Sequence, residues 1–274
     1  MSEVTFFTMA FFIFGAIVGS FLNVCIVRLP HEQSVVKPRS HCVNCKKTIA
    51  WFDNIPLFSF LLLSAKCRFC KHKISVRYFF IELLTGFTFV GFYLYYGLSI
   101  LLLPYLFMVC CFIIATFVDF EHRIIPDEVS VGGMCVGLVF SLAMPQIHHV
   151  PVSDPWFMAH LKSFGLSLLG VLIGGGAIYA MGLLGDFLFK KESMGGGDVK
   201  LLAMIGAFLG WQYAILTFFI APFFGAVIGI IEKIRTGQTT IAYGPYLVAG
   251  ALICLFWGEP LIAWIISGYG LYPR

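Results

Sequence analysis

Charged residues are scarce in this chain. Asp, Glu, Lys and Arg make up only 12% of its 274 residues, against about 25% in ordinary soluble domains. Hydrophobic residues account for 59%, and the mean hydropathy is +0.92. So few charges exclude a soluble globular protein, and a formal net charge of only +4 gives no reason to expect nucleic acid as a partner. The composition is that of a polytopic membrane protein.

The missing charges leave six long apolar runs. They are Val4 to Val27, Leu83 to Val118, Val129 to Ser153, Ser163 to Gly185, Leu201 to Ile231 and Thr236 to Gly258. Since about 20 residues span a bilayer, the second and fifth runs are long enough for two helices each. Breaks near Gly97 and Gly210 would divide them, although Leu201 to Leu209 is short for a full crossing. We therefore predict an all-α fold of about eight transmembrane helices in a lipid bilayer.

Lysine and arginine are nearly absent from one side of this topology. Ten of the 18 lie between Arg28 and Arg77, in the first loop. Because cytoplasmic loops retain basic residues, this loop is predicted to be cytoplasmic and the amino terminus outside. Alternation through eight spans then puts 16 basic residues inside and two outside. The segment from Phe6 to Val27 lacks an early basic region and a cleavage site, so we interpret it as a retained span.

The first loop contains two C-x-x-C pairs, Cys42 with Cys45 and Cys67 with Cys70, separated by 21 residues. Four thiolates from two such pairs can surround a zinc ion tetrahedrally. Disulfides are the alternative, but thiols stay reduced in the cytoplasm. We predict structural zinc, because four thiolates leave no open coordination position and a loop of about 50 residues forms little core of its own.

We see no second soluble domain, linker or clear internal repeat. The predicted organisation is a first transmembrane helix at residues 1–27, a cytoplasmic zinc-binding domain with four cysteine ligands at 28–77, and a transmembrane catalytic domain at 78–274.

A glycine cluster interrupts the apolar pattern later in the chain. Gly195, Gly196 and Gly197 precede Asp198, within the stretch from Ser193 to Lys200. Three adjacent glycines disfavour a helix interior and allow another backbone to approach closely. Asp198 could be a helix-start cap that accepts backbone N–H bonds, or a functional carboxylate at the membrane. Taken alone, the stretch leaves both readings open.

A second carboxylate favours the functional reading. Asp119 directly follows the apolar run that begins at Leu83, and the predicted topology puts it and Asp198 at the same membrane face. Two carboxylates that meet in a partly dry site cannot both ionise easily, so they share a proton and can act as general acid and general base. This is the chemistry of an aspartic protease.

Five motifs, in order, resemble the type IV prepilin peptidase family, the leader peptidases of type IV pili and type II secretion. They are Gly19 to Val24 with Arg28-Leu29-Pro30, the paired C-x-x-C loop with Asn54-Ile55-Pro56, Glu82 to Gly86, Asp119 through Ile124 to Asp127, and the G-x-G-D stretch Gly195 to Asp198 followed by Lys200-Leu201-Leu202. The prolines often found inside the C-x-x-C knuckles are absent here, and zinc ligation does not need them.

The resemblance implies a membrane aspartic peptidase of the bacterial inner membrane with Asp119 and Asp198 as its catalytic pair. Its expected substrates are prepilins or pseudopilins, cut on the cytoplasmic side. The three glycines before Asp198 are expected to admit the substrate backbone. The resemblance also implies methylation of the new amino terminus with S-adenosylmethionine. The loop has no G-x-G-x-x-G nucleotide fingerprint, so no residue is assigned to that cofactor.

Two other functions compete with this prediction. Membrane acids beside a broken helix also occur in ion-coupled transporters, which hold them near the bilayer midplane. The other alternative is a zinc-tethered membrane methyltransferase that has no protease activity.

Overall fold

A computed structural model describes residues 3–151, 155–190, 194–236 and 242–268. Ser193 lies outside these residues. The described chain forms nine α-helices, joined by short 3-10 turns and loops, and the predicted all-α fold is confirmed. The helices are α1 Glu3–Arg28, α2 Phe58–Leu62, α3 Val76–Tyr96, α4 Leu102–His122, α5 Asp127–Ala143, α6 Trp156–Phe189, α7 Gly196–Leu209, α8 Trp211–Thr236 and α9 Gly244–Gly268.

Six of these helices are long and apolar enough to cross a membrane: α1, α3, α4, α6, α8 and α9. With α5 and α7, of 17 and 14 residues, they make up the eight predicted helices. The predicted breaks are found at Gly97, with φ 61°, and at Gly210, with φ 82°. Only glycine adopts these left-handed conformations at little cost, which explains why the helices end there.

The chain divides into two compact units, unit 1 at Met1–Ile114 and unit 2 at Ala115–Arg274. The predicted domain boundaries at residues 27 and 77 stay a prediction. In unit 1, α1 packs on α3 through two glycines. A Cβ added to Gly15 would lie 2.8 Å from the Thr85 carbonyl oxygen, and one added to Gly19 would lie 2.9 Å from the Glu82 Cα. The two helix backbones are therefore nearly in contact.

In unit 2, α7 is the central helix. Its residues Leu201 to Leu209 are all buried, and α5, α6, α8 and α9 pack around it. The backbones of α6 and α7 meet at Gly170 and Gly206, where a Cβ on either residue would overlap the other's carbonyl group. Nearby, the Ser167 hydroxyl donates to the Ala207 carbonyl at 2.7 Å. This close crossing fixes α7, and with it the position of Asp198 in its first turn.

Candidate active site and metal centre

Asp119 lies in the last turn of α4 and is buried, with 5% of its surface exposed. Its Oδ2 accepts a hydrogen bond of 2.9 Å from the backbone N–H of Gly244, the first residue of α9. The first N–H groups of a helix have no partner within the helix and favour negative charge. The amino-terminal end of α9 therefore holds the Asp119 carboxyl in place.

Asp198 lies in the first turn of α7, three positions after the N-cap residue Gly195. The Gly195 N–H donates to the Asp198 carboxyl, and the Asp198 N–H donates to the Gly195 carbonyl at 3.1 Å. The Asp198 carboxyl thus supplies one half of a capping box, whereas Gly195 at the N-cap has no side chain to supply the other half. The carboxyl also interacts electrostatically with Asp119. The two readings of Asp198 are thus compatible, since the side chain both caps α7 and faces a second carboxylate.

Ile125 packs between the segments that carry the two acids. A Cβ added to Gly197 would lie 3.1 Å from the Ile125 Cβ. A Cβ added to Gly244 would lie 3.1 Å from the Ile125 Cδ1 and 2.9 Å from Asp119 Oδ2. The end of α4, the start of α7 and the start of α9 therefore converge, and carboxylates 79 residues apart in sequence, 119 and 198, come together. Their catalytic role stays a prediction.

Tyr243 belongs to the same cluster. Burial, and next to it the negative charge of Asp198, raise the pKa of the Tyr243 phenol to about 12. The phenol is therefore neutral at physiological pH. No role is assigned to Tyr243 or Gly244 from the sequence; residues 237–241 lie outside the described part of the chain. The available signal is the Gly244-Pro245 start of the last apolar helix.

Lys200 and Asp127 form an exposed ion pair beside the acids. The Lys200 Nζ lies 2.6 Å and 2.8 Å from the two carboxylate oxygens of Asp127. Lys200 follows Asp198 on α7, and Asp127 is the first residue of α5. The pair thus joins the first turn of α5 to the second turn of α7. From the sequence, Asp127 is only the end of a motif and is not paired with Lys200.

The three glycines before Asp198 differ in their surroundings. At Gly196, an added Cβ would meet no atom of the described residues within 4 Å. At Gly197 it would press on Ile125, and at Gly195 it would lie 3.2 Å from Asp198 Oδ2. Gly196 is therefore open to an approaching backbone, whereas Gly197 is required for packing.

The four predicted cysteines of unit 1 form one cluster. Ligand atoms of Cys42, Cys45, Cys67 and Cys70 all lie within 4.8 Å of one another. The Sγ of Cys42 is 3.8 Å from that of Cys70, and the Sγ of Cys45 is 4.0 Å from that of Cys67. Sulfurs at the corners of a tetrahedron with Zn–S bonds of about 2.3 Å are about 3.8 Å apart. The cluster therefore fits a zinc ion.

Two similar turns present these sulfurs. The Lys46 N–H donates to the Cys42 carbonyl at 2.9 Å, and the Lys71 N–H donates to the Cys67 carbonyl at 3.0 Å. Lys46 and Lys71 both have left-handed backbones, with φ of 57° and 58°. Each turn directs its two thiols toward one point. The C-x-x-C spacing in the sequence is enough to predict this arrangement.

The hydrogen bonds to the Cys70 thiol favour metal binding. The pKa of Cys70 is lowered to about 6, first by a hydrogen bond from the backbone N–H of His72 and second by one from the Asn44 side chain. Metals bind the thiolate form, so these hydrogen bonds favour the ligating state. Beside the second turn, Arg68 pairs with Asp53 at 2.5 Å, which lowers the pKa of Asp53.

Two family models match the chain. The bacterial peptidase A24 N-terminal domain matches residues 13–96, and the type IV leader peptidase family matches residues 106–230. No solved structure matches.

Several curated proteins named prepilin leader peptidase/N-methyltransferase are similar to it. The protein from Myxococcus xanthus is 38% identical over 85% of this chain, which spans 65% of that relative. The protein from Legionella pneumophila is 33% identical over 93% of both chains. The protein from Aeromonas hydrophila is 29% identical over 94% of this chain and 93% of its own. The resemblance seen in the motifs is confirmed, and the chain belongs to the type IV leader peptidase family.

Proposed function

We propose that this protein is a membrane aspartic endopeptidase that removes the leader peptide of type IV prepilins or pseudopilins. The observation that carries the proposal is the convergence of Asp119 and Asp198 at helix ends. Similarity along 93% of the chain to a protein named prepilin leader peptidase/N-methyltransferase supports the substrate class. The same name supports a second activity, methylation of the new amino terminus with S-adenosylmethionine, and the chain is then bifunctional.

The two carboxyls act as general base and general acid in peptide hydrolysis. Because like charges at close range disfavour double ionisation, the pair holds one proton. The ionised carboxylate takes a proton from water as the water oxygen attacks the scissile carbonyl carbon, and the protonated carboxyl gives its proton to the carbonyl oxygen. When the C–N bond breaks, the leaving amine receives a proton from the pair. The acids titrate as one unit, so neither role is assigned to a single residue.

The surroundings of the pair suit this chemistry. The Gly244 N–H fixes Asp119, and the Gly195 N–H fixes Asp198, so neither carboxyl must reorganise during the reaction. Gly196 leaves room for the substrate backbone beside Asp198. Both acids lie at helix ends, which the predicted topology puts near one membrane face, whereas a transporter site is expected near the midplane. The geometry therefore supports the peptidase over the transporter.

The cysteine loop has a structural role in this proposal. Residues 28–77 form a domain whose four thiolates hold one zinc ion through Cys42, Cys45, Cys67 and Cys70. A site with four thiolate ligands has no open position for substrate or water, so the metal supplies folding energy instead of chemistry. The excess of basic residues in this loop supports our assignment of the loop to the cytoplasmic side of the bacterial inner membrane, and the alternation of spans supports the same side for the acids.

Cleavage of a purified prepilin by the purified protein in lipid nanodiscs, with and without S-adenosylmethionine, tests both activities. We expect loss of the leader in both conditions, and addition of one methyl group to the new amino terminus only with the cofactor. Mass spectrometry of the product separates these outcomes. A folded, inserted protein that leaves the prepilin intact would contradict the peptidase assignment, and methylation without cleavage would favour the methyltransferase alternative.

A further inference from the structure

The stretch from Trp51 to Ala65 is the least charged part of the cysteine loop, since Asp53 is its one charged residue. Six of its large apolar side chains are exposed: Trp51, Phe52, Ile55, Phe58, Leu61 and Leu62. An apolar stretch of about 10–14 residues is too short to span a bilayer and is typical of a buried helix or of a segment in the membrane interface. The exposure excludes the buried helix. We propose that residues 51–62 insert into the bilayer beside α1 and α3 and contact phospholipid acyl chains, whatever reaction the protein catalyses.

The depth of this stretch follows from one hydrogen bond. The Leu57 N–H donates to Glu82 Oε2 on α3 at 2.8 Å. Where α1 crosses α3, a Cβ added to Gly19 would lie 2.9 Å from the Glu82 Cα. Gly19 precedes Val27, the end of the first apolar run, by eight residues, which is a rise of about 12 Å in a helix. The Glu82 side chain and its hydrogen bond are together shorter than this rise. Leu57 therefore lies deeper in the membrane than Val27.

A ring contact holds α2 against α3 at nearly the same depth. The ring centroids of Phe60 on α2 and Phe79 on α3 are 5.2 Å apart. Phe79 precedes Glu82 by three residues, which is less than one helical turn. The other large side chains of α2 stay exposed, as listed above. One side of α2 thus faces a transmembrane helix, and the remainder presents apolar surface that is unfavourable in water.

The polar groups of the stretch are bonded within the loop, as an apolar environment requires. The Ser59 N–H donates to the Ile55 carbonyl at 3.1 Å, and the Ser59 hydroxyl donates to the Phe52 carbonyl at 2.8 Å. The one charge, on Asp53, is paired with Arg68. The stretch can therefore enter the membrane interface without leaving these groups unsatisfied.

A groove of about 720 Å³ lies between this stretch and α1. Exposed apolar side chains line both of its walls, Ile13, Ile17 and Phe21 from α1, and Val36, Trp51 and Ile55 from the loop. The three α1 residues are spaced by four and so lie on one face of the helix. Since α1 is apolar and long enough to cross the membrane, this face is in contact with lipid. The groove is continuous with that face, and an acyl chain is the occupant that this continuity favours.

The charged residues of the groove also fit a phospholipid. Arg28 and Arg39 line it, and no acidic residue is among the described residues that do so. Guanidinium groups bind phosphate, which a phospholipid carries at the edge of its acyl layer. A second copy of this chain, related by a two-fold axis along the membrane normal, would bring its own two arginines to the same level, where like charges repel. A phospholipid therefore fits this groove better than a second copy.

Photocrosslinking of the wild-type chain in nanodiscs tests the proposal. The probe is a phospholipid that carries a diazirine on its acyl chain. We expect label within residues 51–62 and, as a positive control, on the α1 face at Ile13, Ile17 or Phe21. Val43 and Phe69, which are also exposed but lie on the C-x-x-C turns, should carry none. Label on α1 without label on residues 51–62 would overturn the proposal, whether water or a second copy then covers the stretch.

A matched pair of variants gives a second measurement. Leu62→Asp puts a charge into the stretch, and Thr48→Asp puts the same charge at an exposed position before it. Because a carboxylate is unfavourable at the acyl layer, Leu62→Asp should lower the label on residues 51–62 by about threefold or more, whereas Thr48→Asp should leave it unchanged. Equal labelling of the two variants would contradict the insertion. Neither measurement uses cleavage or methylation, so the proposed function is tested separately.

Discussion

The two units hold their polar groups by different physical means. Within residues 29–75, all of which the structure describes, Ser59 is the one buried residue, so the cysteine loop has almost no core. In unit 2, nine consecutive residues of α7 are buried directly after the turn that carries Asp198. From this comparison we expect the loop to depend on a metal, whereas helix packing holds the carboxylates.

The largest effect is expected at the carboxylates. Asp119→Asn and Asp198→Asn keep the shape of the side chain but remove the shared proton, so each should lower the rate of prepilin cleavage by about 10³-fold or more. A gel-shift assay of leader removal measures this. The metal content of unit 1 should stay at the wild-type value.

Glu128→Gln is the matched control for these variants. Glu128 is an exposed carboxylate in the first turn of α5, close in sequence to Asp119. Cleavage within twofold of the wild-type rate is expected. Normal processing by either Asn variant would remove that aspartate from the catalytic pair.

The next effect concerns the metal. Purified protein should contain about one zinc per chain, and the double change Cys42→Ser with Cys67→Ser should remove it, because two thiolates are lost from a four-thiolate site. Without the metal, the loop should become sensitive to proteolysis, since it has little buried surface to hold it. Elemental analysis and limited proteolysis check both results. Cys135→Ser, at an exposed thiol of α5, should retain the zinc; a wild-type protein that is metal-free and fully ordered would refute the site.

Helix packing can be perturbed at a single glycine in each unit. Gly170→Ala would push a methyl into the Gly206 carbonyl in unit 2, and Gly15→Ala would press on the Thr85 carbonyl in unit 1. Backbone obstacles cannot rotate away, so each change should destabilise the protein by about 1–3 kcal/mol. The midpoint of thermal unfolding in detergent reports this.

Gly165→Ala on α6 and Gly91→Ala on α3 are the corresponding controls. At both positions an added Cβ would meet no atom of the described residues within 4 Å. Alanine favours a helix over glycine by up to about 1 kcal/mol, so these variants should be as stable as the wild type or more so. If all four alanines behaved alike, close packing at Gly170 and Gly15 would not support the two helix pairs.

The sequence alone predicts the features that depend on local patterns. Apolar runs and the glycines at 97 and 210 define the helices, and the C-x-x-C spacing defines the cysteine cluster. The approach of Asp119 to Asp198 follows from their positions at the ends of apolar runs. These features repeat within a few residues or follow from the alternation of spans.

The contacts that the sequence does not predict join distant parts of the chain. Gly244 and Asp119 are separated by 125 positions, and Lys200 and Asp127 by 73. The hydrophobic periodicity of the sequence does not indicate which carboxylate contacts which N–H or ammonium group on another helix. Gly197 illustrates the same limit, because its contact with Ile125 depends on how α7 is seated and not on the glycine run itself.

The smallest effect is expected at the ion pair of Lys200 and Asp127. Its side chains are 43% and 64% exposed, and exposed pairs contribute about 0–1 kcal/mol, so Lys200→Met or Asp127→Asn should slow cleavage by about two- to fivefold. The double variant should be no slower than either single one, since both remove the same contact. Exchanging the two charges should restore part of the rate if the pair only positions the first turn of α7. If cleavage were lost as completely as in Asp198→Asn, and the charge exchange did not restore it, Lys200 would take part in the reaction itself. Helix packing would then not be the only means by which the two carboxylates are held for catalysis.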